Sequence, residues 1–297
     1  MPYPPDIANA TSPITIAGLA EIAAHYDAFI LDLWGVLHDG VTAYPAAIAA
    51  LRKLRASAKP VGILSNGPRR ADAVAQRSAE LGITPDLYAV IHSSGEETWQ
   101  AFASRSGCAA GLGRRCLPLV PPKDRGLLAG LDLDLAADPA GADFVLLSGT
   151  DRPEETVADY ETQLQDIRRH NLPMICANPD LEVVRGGVRE ICAGAIAARY
   201  AELGSEVRYV GKPYPEVYVR CLRALGSPAP SRVLAVGDSL RTDIAGAAGA
   251  GLGSLFIIGG IHQAELMVDG GFNAALFARL CEPAGLRPGY LADAFRW

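Results

Sequence analysis

The strongest constraint on this chain is an alternation of two patterns. A short apolar run ends in a polar residue and a turn, and a helical period follows. Phe29–Leu31 leads to Asp32, and Ala46–Ser57 ("AAIAALRKLRAS") has helical spacing. Val61–Leu64 leads to Ser65-Asn66-Gly67, and Arg69–Leu81 is helical up to Gly82. The same order returns near the C-terminus. Val207–Val210 leads to Gly211-Lys212, and Pro215–Leu225 predicts a helix stopped by Gly226. Val233–Val236 leads to Gly237-Asp238-Ser239, and Leu240–Ala250 predicts one more helix. This β-α-β-α order implies parallel strands with crossover helices, an α/β fold with a Rossmann-like, doubly wound parallel sheet.

Between these halves the pattern loosens. Glu154–His170 predicts one helix, Phe144–Leu147 and Pro173–Ala177 predict strands, and "GCAAGLGRRC" and "PLVPPKDRG" read as turns. A chain of 297 residues has room for two domains. Residues 93–187 are therefore expected to form a smaller α/β domain inserted into a core made of 1–92 and 188–297.

Composition narrows the function. A net charge of −6, with no Lys/Arg run longer than a pair, argues against sequence-independent nucleic-acid binding. No apolar run is long enough to span a bilayer. The opening "MPYPPDIANATSP" lacks the basic and apolar regions of a signal peptide. The six cysteines are scattered without metal-ligand spacing and read as small buried hydrophobes of a reduced compartment. The expectation is a cytoplasmic protein without nucleic-acid or membrane partners.

Four strand ends deliver chemistry: Asp32, Ser65-Asn66, Lys212 and Asp238. In an open parallel sheet, ligands bind beyond the carboxyl ends of the strands, so these residues can converge there. Two carboxylates suit a hard cation such as Mg²⁺. The hydroxyl and turn amides of Ser65, Asn66 and Gly67 suit phosphoryl oxygens, and Lys212 supplies a compact positive charge. Such a set would neutralise charge developing in phosphoryl transfer, with a carboxylate as nucleophile.

These residues carry a resemblance. "DLWGVLHDG", "LSNG", "GKPYPEVY" and "VGDSLRTDI" resemble, in order, the four motifs of the haloacid dehalogenase-like hydrolase superfamily. The chain is most similar to the class IIA phosphatases, a group with p-nitrophenyl, pyridoxal and phosphoglycolate phosphatases. The resemblance implies Asp32 as nucleophile and Ser65 and Lys212 as phosphoryl-holding residues. It places metal on Asp32, the Trp34 main-chain carbonyl, Asp238 and Asp243. The long gap between the second and third motifs matches a C2-type cap. "NPD" resembles a return from such a cap, with Asn178 and Asp180 as candidate substrate contacts. "GTDR", Gly149 to Arg152, is a weaker candidate for facing the site. Caps of this kind often pair in the resembled group, which suggests a homodimer through the cap.

One position departs from the phosphatases. Where they have an Asp general acid/base, this chain has Trp34, whose indole donates a hydrogen bond but does not shuttle protons near neutral pH. His38 is close enough in sequence to substitute, although a turn contact is the commoner role for such a residue. His25, His92, His170 and His262 lack metal spacing and read as structural or surface residues. Gly111-x-Gly113 lacks the rest of a dinucleotide fingerprint. The leading expectation is a Mg²⁺-dependent phosphatase of a small phosphorylated metabolite, working through an aspartyl-phosphate and slowed at Trp34. The alternatives are a non-catalytic Mg²⁺- and phosphometabolite-binding regulator and a metal-independent haloacid dehalogenase. The dehalogenases share an aromatic residue at this position, but they place their cap elsewhere and lack the acidic pair.

Overall fold

The computed structural model describes residues 12–297. The signal-peptide expectation falls on residues 1–11, outside the described ones. In chain order the strands are β1 (Ile14–Thr15), β2 (Ala28–Leu31), β3 (Val61–Ser65), β4 (Val90–Ser93), β5 (Arg115–Leu119), β6 (Asp134–Leu135), β7 (Phe144–Leu147) and β8 (Met174–Cys176). They continue with β9 (Glu182–Arg185), β10 (Val188–Ile191), β11 (Val207–Tyr209), β12 (Val233–Gly237), β13 (Gly253–Ile257), β14 (Met267–Val268), β15 (Gly271–Phe272) and β16 (Tyr290–Ala292). The helices are α1 (Pro45–Ala56), α2 (Ala71–Glu80), α3 (Ser94–Ala103), α4 (Glu161–Arg169), α5 (Ala193–Glu202), α6 (Pro215–Ala224), α7 (Ala245–Gly249), α8 (Gln263–Leu266) and α9 (Ala274–Cys281). Among the described residues no helix is long and apolar enough to cross a membrane. All six cysteines are free thiols, and five of them are buried.

The chain packs as two units. The first comprises Met1–Ser65, Ala75–Ile91 and Lys212–Trp297, and the second Asn66–Val74 and His92–Gly211. The first is built on a seven-stranded sheet in the order β1-β16-β13-β12-β2-β3-β4. β2 pairs in parallel with both β3 and β12. From β2 the chain winds outward to β3 and β4, then returns to add β12, β13 and β16 on the other side. The winding reverses between β2 and β12, and that switch point is where an open α/β sheet forms its ligand crevice. β2 ends at Leu31 and β12 at Gly237, so Asp32 and Asp238 hang beside the switch point.

The second unit has a sheet in the order β11-β8-β7-β5-β6, with every pair parallel. Its β7 is apolar at every position because both faces are covered. Phe144 and Leu146 enter one cluster with Phe102, Leu127 and Ile175. Val145 and Leu147 enter another with Leu164, Ile167, Met174 and Ile196. Each such side chain, fully buried, contributes about 1.5–3 kcal/mol of transfer free energy.

Four local expectations change. Residues 188–211, placed in the core by the sequence pattern, pack with the second unit: β10 pairs with β9, β11 pairs with β8, and α5 supplies Ile196 and Tyr200 to that unit's core. β5 (Arg115–Leu119) begins in the turn-like "GCAAGLGRRC" and ends in the turn-like "PLVPPKDRG", and its Pro118 disguised it. Cys116 accepts from Ala136 on the β6 side, so Pro118 faces the same side, beyond the end of the short β6. No ladder donor is needed there. Glu154–His170 begins later than expected, because Thr156 and Asp159 form a capping box that opens a short 3₁₀ turn before α4. Leu240–Ala250 is a π turn over Leu240–Ile244 followed by α7, with both Asp243 and Ile244 donating to the Ser239 carbonyl.

Candidate active site

Within the first unit, four predicted residues come together. Lys212 Nζ donates to Asp32 Oδ1 and to Asp243 Oδ1, both at 2.6 Å. Asp32, Asp238 and Asp243 each offer a carboxylate oxygen, and these atoms lie within 4.8 Å of one another. Lys212, Asp238 and Asp243 are buried, while Asp32 is partly exposed.

Local backbone explains how each group arrives. The Asp32 N–H donates to Val236 O, 2.9 Å, which carries the β2–β12 ladder one residue past Leu31. Asp238 Oδ2 accepts from the Ile261 N–H at 2.8 Å. Asp243 Oδ2 accepts from the Ser239 N–H at 3.1 Å, inside the π turn. That widened turn is the kind of irregularity found at functional sites. Gly35, at φ +73°, backs directly onto Asp238, and a Cβ there would sit 1.9 Å from Oδ2. Only glycine meets both conditions.

The electrostatics are unbalanced. Burial, then the charges of Asp32 and Asp243, push the Asp238 carboxyl well above the usual carboxylate range. Three carboxylates face one ammonium. An all-oxygen donor set, without sulfur or imidazole, fits a hard divalent cation.

Ser65 ends β3, next to β2, and is buried. Trp34 is partly buried, packs edge-on against His38 with centroids 5.1 Å apart, and lays its six-membered ring over Gly40. His38 Nδ1 accepts from the Gly40 N–H at 2.9 Å. That nitrogen carries no proton, and the imidazole serves as a staple for its own turn.

The other predicted contacts belong to the second unit and gather among themselves. Asn66 Nδ2 donates to Asp180 Oδ1 at 2.8 Å. The Asp180 N–H donates to Asn178 Oδ1 at 3.0 Å. The Gly95 N–H donates to Gly67 O at 3.1 Å. Sequence reasoning passed over Ser94, whose Oγ donates to Asn66 Oδ1 at 3.2 Å, and Gly35. Gly35 had a local signal, as the glycine directly after Trp34; Ser94 had none. His92, read as structural, pairs with Glu97 at 2.9 Å in a buried position.

Two family descriptions match the chain: haloacid dehalogenase-like hydrolase over residues 29–133 and HAD-hydrolase-like over residues 209–279. A hydrolase of the haloacid dehalogenase-like family from Brucella suis 1330 is 35% identical, with a TM-score of 0.82 over 94% of this chain and 99% of that one. Chronophin from Homo sapiens is 27% identical over 84% of this chain and 86% of its own length. D-glycerol 3-phosphate phosphatase from Mycobacterium tuberculosis is 28% identical over 83% of this chain and 67% of its own length.

Proposed function

Because the chain belongs to the haloacid dehalogenase-like hydrolases, as a phosphoric monoester hydrolase of their class IIA group, we propose that it is a Mg²⁺-dependent phosphatase of small phosphorylated metabolites, working through a phosphoryl group carried on Asp32. The observation that carries this reading is the acidic trio gathered beside Lys212 at the switch point. The similarity to a glycerol phosphate phosphatase puts small polyol phosphates first among substrates.

Asp32, Asp238 and Asp243 would hold the cation, together with the Trp34 main-chain carbonyl that the family uses. When bound, Mg²⁺ supplies positive charge against the phosphoryl oxygens. Lys212 holds Asp32 in place and adds its own charge to the group being transferred. Ser65, with the Asn66-Gly67 turn, would bind the remaining phosphoryl oxygens. An Asp32 oxygen attacks phosphorus, the phosphorus–oxygen bond to the leaving group breaks, and an acyl phosphate forms. Water then attacks the same phosphorus, releasing inorganic phosphate and the Asp32 carboxylate. Trp34 gives up no proton near neutral pH. The departing alkoxide is protonated, and the attacking water deprotonated, without help from the Trp34 side chain.

The test is phosphate release from p-nitrophenyl phosphate and glycerol 3-phosphate, with Mg²⁺ and with EDTA, for wild type and Asp32→Asn. Release should depend on Mg²⁺ and vanish in Asp32→Asn. Mg²⁺ should also raise the wild-type melting temperature, and much less so in Asp238→Asn, because a ligand bound only by the folded state stabilises it. Release that persists in EDTA or in Asp32→Asn ends the reading.

A further inference from the structure

The sequence pattern offered Asn66 and Asp180 as ligand contacts, but both ends of the Asn66 amide already have protein partners. Nδ2 donates to Asp180 Oδ1 at 2.8 Å, and Oδ1 accepts from Ser94 Oγ at 3.2 Å. Asn66 is 2% exposed. The loop carrying Asp180 is itself pinned, since the Asp180 carbonyl accepts from the Gly194 N–H at 3.0 Å. Ser94 begins α3, whose first turn is strapped along the segment that follows Asn66. The Gly95 N–H bonds Gly67 O at 3.1 Å, Ser93 Oγ bonds Arg69 O at 2.6 Å, and Glu96 accepts from the Ala71 N–H at 3.1 Å and from Arg70. Gly211 completes the arrangement. At φ +124°, a Cβ on it would fall 2.0 Å from Ser94 Oγ, 2.5 Å from Asn66 Oδ1 and 3.1 Å from Pro179 Cδ.

Asn66 follows Ser65 directly, and Gly211 directly precedes Lys212. The chain passes between its two units at both of these bonds. We propose that Asn66, Ser94 and Asp180 form a clasp that fixes the backbone on either side of the phosphoryl-holding residues, with Asp180 a positioning residue for Ser65 and Lys212. Its catalytic consequence rests on the phosphatase reading above; its mechanical consequence does not. An error of about 1 Å in a reacting group can cost about a hundredfold in rate, so a clasp remote from the chemistry is felt there.

The test compares Asp180→Ala, Asp180→Asn and Ser94→Ala in the full chain. Asp180→Ala should lower kcat about ten- to hundredfold, by the same factor for p-nitrophenyl phosphate and glycerol 3-phosphate, with little change in KM. Asp180→Asn keeps an acceptor for Asn66 and should restore most of the rate. Ser94→Ala, which removes one hydroxyl, should act in the same direction as Asp180→Ala, but by only a few-fold. In parallel, amide hydrogen exchange of peptides covering 62–68 and 208–214 should quicken together in Asp180→Ala and recover in Asp180→Asn. Unchanged exchange in both peptides, or a loss confined to KM for one substrate, overturns the clasp. A wild type that hydrolyses neither substrate overturns the phosphatase reading alone, and the exchange measurement still decides the clasp.

Discussion

At position 34, where the family resemblance implies an acidic general acid/base, this chain has Trp34. Its ring packs on His38 and Gly40, and His38 spends Nδ1 on the Gly40 N–H. The turn after Asp32 thus contains neither a carboxylic acid at position 34 nor a proton on that imidazole nitrogen. General acid/base catalysis is worth about 10²–10⁴-fold. p-Nitrophenolate leaves without a proton, so Asp32 should be phosphorylated quickly by p-nitrophenyl phosphate and cleared slowly. Stopped-flow absorbance should show a burst of one p-nitrophenolate per chain, with no burst product from glycerol 3-phosphate. Trp34→Asp should remove the burst and raise the steady-state rate on both substrates by about 10²-fold. A wild type without a burst, and a variant no faster, would show that proton transfer is not what limits turnover.

At the scale of elements, the first turn of α3 does more than start a helix. Ser93 is its N-cap, accepting from the Glu96 N–H at 3.0 Å, and the same hydroxyl donates to Arg69 O at 2.6 Å. One side chain thus caps the start of a helix and ties down the segment that follows Asn66. Ser93→Ala should cost about 1 kcal/mol for the lost cap, and more because Arg69 O loses its donor. Urea denaturation reads this directly; a midpoint equal to wild type would remove the strap. The α2, α6 and β12 elements were legible in sequence because their periods are long or uninterrupted. β5 was not, since Pro118 reads as a breaker until the short partner beside it is known. The π turn at Leu240–Ile244 was not legible either. Its sequence suits an α-helix, and the widening brings Asp243 to Lys212 and the Ser239 N–H.

For the whole molecule, stability should depend on acid pH. The Arg199 hydrogen bond holds Glu161 down to about 2, and the Arg115 and Arg232 guanidiniums lower Asp143 and Asp27. Burial would raise Glu96, but Arg70, Gln100 and the Ala71 N–H outweigh it and lower its carboxyl. A carboxyl depressed in the folded state stabilises above its unfolded value, and that contribution is lost as pH falls through the folded value. The loss from these depressed carboxyls should lower the melting temperature between about pH 4.5 and 2. A melting temperature that is the same at pH 3 and pH 7 would contradict this assignment. Asp238 acts with the opposite sign: burial and its acidic neighbours raise it, so its charge costs stability near neutral pH, which a bound cation would offset.

The alternation of strand and helix, the polar residue at each strand end and the room for an insertion are local properties, written in apolar runs and their periods, and residue order alone determined them. Partnership is not local. Lys212 meets Asp32 across 180 positions, and Asn66 meets Asp180 across 114. Only packing decided that Asp238 and Asp243 join the first pair while Asn66 and Asp180 hold each other. A polar side chain removed from water must find a hydrogen-bonding partner among whatever the folded backbone brings within 3 Å, and no spacing in one dimension specifies which.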